Sequence, residues 1–427
     1  LKALVTTADR RTEKVLLVGV ELKARSSWDV KDSLAELEEL VVTAGGEVVG
    51  TGWQKLEAPV AGTYIGSGKA VELAHMARVR DVDTVIFDDE LSPAQGRNLE
   101  KVFECKVLDR TSLILDIFAQ RARTREGKMQ VELAQLRHLL PRLTGYWAHL
   151  SRQKGGIGMR GDGETQLEAD RRKVQEKIDR IERELVEVRR QRLTQREGRQ
   201  RHQWPLASIV GYTNAGKSTL LNALTGASVV AEDKLFATLD PTTRRLRLPT
   251  NQNVLLTDTV GFIRKLPHGL VEAFKATLEE VVEADLLLHV VDVSHPNAQD
   301  HISAVNAVLE EIGAGGKSTL MVLNKTDLIP EAYLEGIRGR HEKAVTISAK
   351  TGAGVGELMA ELGVMLKPVR EFIELEIPHE ASGTIARLHV VAQVVERDYD
   401  GAKARFKARI PPQCHAEFAP FITKNLN

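Results

Sequence analysis

The string Gly211-Tyr212-Thr213-Asn214-Ala215-Gly216-Lys217-Ser218, set between an apolar run at 206–210 and a helix-like stretch at 218–225, leaves this chain few folds to choose from. Glycines so spaced let backbone N–H groups turn inward around phosphate oxygens at a helix N-terminus. Lys217 can then reach the β- and γ-phosphates, and Ser218, followed by Thr219, can offer its hydroxyl to Mg2+. A strand that feeds such a loop into a helix opens a mostly parallel, doubly wound α/β sheet, and the strand and helix signals that follow keep that alternation to about residue 369.

Three further strings follow in the order that GTP-binding proteins use. Asp258-Thr259-Val260-Gly261 ends an apolar run at 254–256, so the Asp258 carboxylate can face a magnesium shell while the Gly261 N–H approaches the γ-phosphate. Asn324-Lys325-Thr326-Asp327 follows a run at 320–323, and the carboxylate of Asp327 can accept both hydrogen bonds from the Watson–Crick edge of guanine. Ser348-Ala349-Lys350, after a run at 344–347, completes a base pocket. Together these predict a site for GTP and GDP with Mg2+, with Lys217, Thr238 and Gly261 as catalytic groups and Ser218 and Thr238 as metal ligands. Thr238 lies between the phosphate loop and Asp258, where a threonine that senses the γ-phosphate belongs; Thr242 and Thr243 are its rivals. Phe262 stands where many switch GTPases carry a glutamine that orients the attacking water, and a phenyl ring cannot hydrogen-bond water, so slow intrinsic hydrolysis is expected.

Around this core the chain reads as four domains: 1–110, 111–203, 204–369 and 370–427. The first alternates apolar runs (15–20, 84–87, 107–108) with helical stretches at 29–43 and 93–103, a small α/β layer. Helical patterning over 111–143 and a charged helix over 164–199 suggest a long antiparallel hairpin, since Val174, Ile178, Ile181, Leu185 and Val188 fall at alternating spacings of 4 and 3. The intervening tip is rich in glycine and carries Lys154 and Arg160, with Arg171, Arg172 and Lys173 at the head of the second helix, so it can meet phosphates or stay solvated. The tail alternates over 372–378 and again over 385–395, and Asp400-Gly401 reads as a hairpin turn, which makes a small α+β domain. There Lys403, Arg405, Lys407 and Arg409 share one strand face, expected at a phosphate-contacting or merely solvated edge. Basic and acidic residues balance at 59 each, so net charge names no partner. The cysteines, Cys105 and Cys414, lack disulfide or zinc spacing, and no apolar run reaches the roughly 20 residues that span a bilayer, so a cytoplasmic monomer is expected.

Two look-alike strings are set aside. Gly316-Lys317-Ser318-Thr319 precedes a strand and has Glu311 where the first glycine is needed, so it reads as a helix-ending turn. Gly66-Ser67-Gly68-Lys69 has Thr63 and Ala70 at the defining positions, which leaves a tight turn, a partner loop or an ATP-using module open.

Other strings resemble one family. Asp88-Asp89-Glu90-Leu91-Ser92-Pro93-Ala94-Gln95, Asp109-Arg110-Thr111, the stretch 116–124, and Lys154 to Gly161 leading into Gly163-Glu164-Thr165-Gln166-Leu167-Glu168 are similar to the HflX family of translation-factor-related GTPases. Asp162 departs from the proline of that family's GPGE string. The resemblance implies a GTPase that binds the large ribosomal subunit through rRNA and ribosomal proteins, is stimulated by it, and in some members splits stalled ribosomes. The rival reading is a GTP-dependent switch acting through a protein partner.

Overall fold

The computed structural model describes residues 12–22, 30–143, 162–200, 204–226, 235–265, 275–341, 343–366, 371–401, 403–410 and 414–426, so the glycine-rich tip with Lys154 and Arg160 lies outside the described residues. By mutual contact the chain forms two compact units. Unit 1 is Leu1–Val188 with Asp233–Leu239 and Lys265–Lys275; unit 2 is Arg189–Glu232, Asp240–Arg264 and Ala276–Asn427.

Unit 1 is built on β1 (Lys14–Leu22), α1 (Val30–Ala44), β2 (Glu47–Leu56), α2 (Ser67–Val79), β3 (Thr84–Phe87), α3 (Pro93–Phe103), β4 (Lys106–Asp109) and α4 (Arg110–Arg121). Its four strands lie parallel in the order β2-β1-β3-β4. Consecutive residues Leu16, Leu17 and Val18 are all buried, as expected of a strand covered on both faces. Ser92 and Gln95 close a capping box ahead of Pro93, which starts α3 where the sequence placed it. Helices α5 (Arg125–Leu143) and α6 (Asp162–Gln200) then pair through the heptad seam: Ile178, Ile181 and Leu185 are buried against Met129 and Leu133, with Val174 and Val188 at the margins. Arg171, Arg172 and Lys173 are exposed on α6.

The helical pattern over 111–143 is two helices instead of one. The Thr124 hydroxyl accepts the Gly127 N–H (2.9 Å) and restarts the helix after a break that no glycine or proline marks in the sequence. Helix α4 serves the sheet layer, leaving α5 as the arm. Within the same unit, Phe236 packs edge-on against Phe118 with ring centroids 4.7 Å apart. Lys265 is paired with Asp88 and, at 2.8 Å, with Asp89. The buried Arg110 joins this group through Asp88 (2.8 Å) and Glu36.

Unit 2 carries β5 (Leu206–Gly211), α7 (Lys217–Thr225), β6 (Thr242–Arg247), β7 (Asn253–Asp258), α8 (Lys275–Glu283), β8 (Leu286–Asp292), α9 (Ala298–Glu311), β9 (Thr319–Asn324), α10 (Glu331–Arg340), β10 (Val345–Thr346) and α11 (Val355–Met365). The six-stranded sheet runs β10-β9-β8-β5-β7-β6 and is parallel except for β6, the antiparallel partner of β7. This is the α/β P-loop fold expected, with the phosphate loop at the carboxyl end of the central β5, where open α/β sheets bind ligands. In the Gly316 look-alike, the helix-ending glycine is Gly313 (φ +81°), with Ala314 N–H closing on Leu309 O.

A second sheet in unit 2 holds β11 (Glu371–Pro378), α12 (Ser382–Val391), β12 (Gln393–Asp400), β13 (Lys403–Ile410), α13 (His415–Phe418) and β14 (Ile422–Asn425), in the order β12-β13-β11-β14. Two expectations are corrected here. Residues 385–391, read as alternating, are helical, because Ile385, Leu388 and Val391 recur at helical spacing and pack on the sheet. The basic strand is interior, and carboxylates of its neighbours match it: Arg405 and Lys403 meet Glu376 at 2.9 and 3.3 Å, Lys407 meets Glu396 at 2.7 Å, and Arg409 lies over the Phe372 ring. The β6–β7 turn caps α12, with Asn251 donating to His389 O (3.1 Å).

Candidate nucleotide site

Strand β5 delivers Gly211 to the loop, and Gly216, in the left-handed region at φ +90°, turns it into α7. A β-carbon at Gly216 would sit 2.3 Å from Asn324 Nδ2, so only glycine fits. Asn324 in turn ties the phosphate loop to the base loop: its Nδ2 donates to Ala215 O (2.8 Å) and its Oδ1 accepts the Ala349 N–H (3.0 Å). One buried amide thus registers the pocket for phosphate against the pocket for base.

Lys217 is buried, and its Nζ donates to Tyr212 O (2.7 Å) and Gly211 O (3.2 Å). Burial pulls its pKa from the ordinary 10.5 down to about 8, against the opposing pull of the Asp258 charge. Below that value the folded chain carries an incompletely compensated buried cation, and stability rises with pH between about 8 and 10.5, where the unfolded chain holds the extra proton. A bound polyphosphate restores the charged form. Nucleotide binding at pH 9 is therefore expected to take up close to one proton, and affinity to weaken by up to about tenfold per pH unit above 8. Calorimetry in buffers of different ionisation enthalpy reads this directly; binding at pH 9 with no proton uptake would count against a phosphate-facing Lys217.

The Ser218 hydroxyl donates to the fully buried Asp258 carboxylate at 2.6 Å. Hydroxyl and carboxylate oxygens are the hard donors that Mg2+ takes together with phosphate oxygens and water, so this pair fits that ion. Among the described residues no group of three or more His, Cys, Asp or Glu side chains could hold a metal unaided. The Thr259 hydroxyl anchors the end of β7 to Ile209 O (2.7 Å). A β-carbon at Gly261 would come within 2.8 Å of Thr213 Cα and 3.1 Å of Lys217 Nζ, so this backbone runs hard against the phosphate loop.

In the base loop Asp327 accepts the Ser348 hydroxyl at 2.7 Å, and Lys325, at φ +65°, pairs with Asp292 at 2.8 Å. Lys350 is exposed in the turn after Ala349. Unit 2 thus brings together residues 211–219, Asp258, Gly261, Asn324, Lys325, Asp327 and 348–350. Thr238 is half-buried in 233–239, which groups with unit 1. Of its rivals, Thr243 lies on β6 with its hydroxyl 3.0 Å from that of Thr257, and Thr242 pairs with Asp258 in the ladder. Phe262 is buried, so the ring at the glutamine position turns into the protein. Sequence reasoning missed Asp292; its place at the end of an apolar strand was the available signal.

Three family profiles match successive stretches: one described as GTP-binding GTPase N-terminal over residues 31–119, one as GTP-binding GTPase middle region over 121–199, and one as 50S ribosome-binding GTPase over 207–325. GTPase HflX of Caldanaerobacter subterraneus subsp. tengcongensis is 47% identical over 413 residues, covering 97% of this chain and 94% of its own. GTPase HflX of Escherichia coli (strain K12) is 48% identical over 387 residues, 90% of each. A solved structure of a GTP-binding protein from Sulfolobus solfataricus in complex with GDP is 25% identical, covers 82% of this chain and 98% of its own, and has a TM-score of 0.44.

Proposed function

This chain belongs to the HflX family of GTPases, and we propose that it binds the large ribosomal subunit, is stimulated by it to hydrolyse GTP, and dissociates or rescues stalled or idle ribosomes. The observation that carries this reading is the likeness to HflX proteins over 97% of the chain, its arm and amino-terminal sheet included. The profile over 207–325 is described as a 50S ribosome-binding GTPase, which supports the choice of partner. Lys217 and the Gly261 N–H act on the γ-phosphate, and Asn324, Lys325, Asp327, Ser348, Ala349 and Lys350 hold guanine. Magnesium would be held by Ser218, whose hydroxyl Asp258 accepts, and by Thr238, and would supply neutralisation of phosphate charge. Because the Phe262 ring is buried and cannot hydrogen-bond water, the partner supplies or positions the group that orients the attacking water. In this reading the chain has four domains, bounded at 110, 203 and 369, and acts as a cytoplasmic monomer. Among the described residues no helix is long and apolar enough to cross a membrane.

GTP turnover of the purified protein, alone and with purified large subunits, tests the reading, with Ser218→Ala as the site control. The expected result is a slow basal rate raised at least about tenfold by subunits and lost in the variant. Intact guanine-nucleotide binding with no stimulation would move the proposal to a switch acting through a protein partner.

A further inference from the structure

The second residue of the phosphate loop does more than fill a place in the loop. The Tyr212 ring is buried and lies flat on the His301 ring of α9, with centroids 3.8 Å apart and planes within 4°. Its phenol oxygen accepts the backbone N–H of Arg264 at 2.9 Å. Arg264 lies three residues past Gly261, and the backbone between them is bound to the loop twice more, by Thr213 N–H to Phe262 O (2.7 Å) and Phe262 N–H to Gly211 O (3.1 Å). Burial and the neighbouring His295 push the His301 imidazole down to about 4, so the stack joins two neutral rings at neutral pH.

The backbone bonds at Phe262 do not depend on any side chain at 212; the bond at Arg264 does. We propose that Tyr212 is a positioning residue for hydrolysis: seated on His301, its hydroxyl fixes the backbone after Gly261 and so sets where the Gly261 N–H meets the γ-phosphate. The proposal rests on the GTPase reading and deepens it. A donor aimed at charge that develops in the transition state gains from being held in place beforehand, so losing the clamp lowers the rate of the chemical step and the grip on the γ-phosphate. GDP has no γ-phosphate, and its affinity does not depend on the clamp.

The test is single-turnover hydrolysis, with affinities for GDP and for a non-hydrolysable GTP analogue, in wild type, Tyr212→Phe and His301→Ala. Tyr212→Phe keeps the stack and removes only the hydroxyl; it is expected to hydrolyse about tenfold more slowly and bind the analogue less tightly, with GDP affinity within about twofold, a loss on the scale of one directed hydrogen bond. His301→Ala, which unseats the ring, is expected to show the same split, and melting curves check that both variants fold. Unchanged hydrolysis in Tyr212→Phe, or equal weakening of GDP and analogue, overturns the proposal. Absence of wild-type turnover would instead sink the GTPase reading itself.

Discussion

Asp327→Asn is expected to turn the base pocket away from guanine, lowering affinity for GTP and GDP by at least about a hundredfold while creating measurable binding of xanthine nucleotides. Guanine presents N1–H and the 2-amino group, both donors, and a carboxylate accepts both at once. An amide at the same place can accept one bond, but its NH2 then faces the 2-amino donor, which leaves two desolvated donors in contact. Xanthine carries a carbonyl at position 2 and matches the amide. The substitution is nearly isosteric, and the Asn oxygen can still take the Ser348 hydroxyl that Asp327 accepts at 2.7 Å, so the pocket keeps its shape and only its donor pattern changes. Affinities for GDP and xanthosine diphosphate measured side by side decide it; a variant that still prefers guanine would remove Asp327 from the base pocket.

Gly216→Ala should fail more broadly. Its β-carbon would lie 2.3 Å from Asn324 Nδ2, and at φ +90° an L side chain is strained whatever the space. Asn324 cannot yield without releasing Ala215 O on one side or the Ala349 N–H on the other. Phosphate and base pockets are disturbed together, and GDP and GTP affinities are expected to fall by at least about a hundredfold, with a melting temperature lower by a few degrees. Gly68→Ala is the informative contrast. That glycine lies on α2 in the look-alike loop, a β-carbon there meets nothing within 4 Å, and the change should leave nucleotide binding intact while strengthening the helix slightly. Equal tolerance at both positions would mean that the tightness at Gly216 is not what holds the site together.

Much of this site was legible because phosphate, magnesium and guanine each demand a particular residue type at a strand end, and 211–218, 258–261, 324–327 and 348–350 meet those demands in order. The arm was legible for a similar reason, since a seam of Ile178, Ile181 and Leu185 has one period and one use. What escaped lies where period is silent. The break before α5 falls at 122–124, where neither proline nor glycine stands, and the Thr124 hydroxyl caps the helix that follows. The antiparallel β6 is a short Arg-rich edge strand with Leu246 as its buried residue, so it carries almost no alternation to read. Residues 385–391 have too few polar positions for a helical period to stand out from a strand's. The role drawn for Tyr212 rests on a ring stack to a residue 89 positions away, and such a pairing has no local signature.

Unit 1 takes in residues 233–239 and 265–275, far downstream of its own sheet. No single cleavage of the backbone can therefore release it whole: a fragment ending at residue 203 keeps Phe118 without Phe236 against it, and Asp88 and Asp89 without Lys265. The same holds during synthesis. Domains usually complete in order from the amino terminus, but here Phe118 meets Phe236, and Asp89 and the Arg110-paired Asp88 meet Lys265, only after more than half the chain has been made.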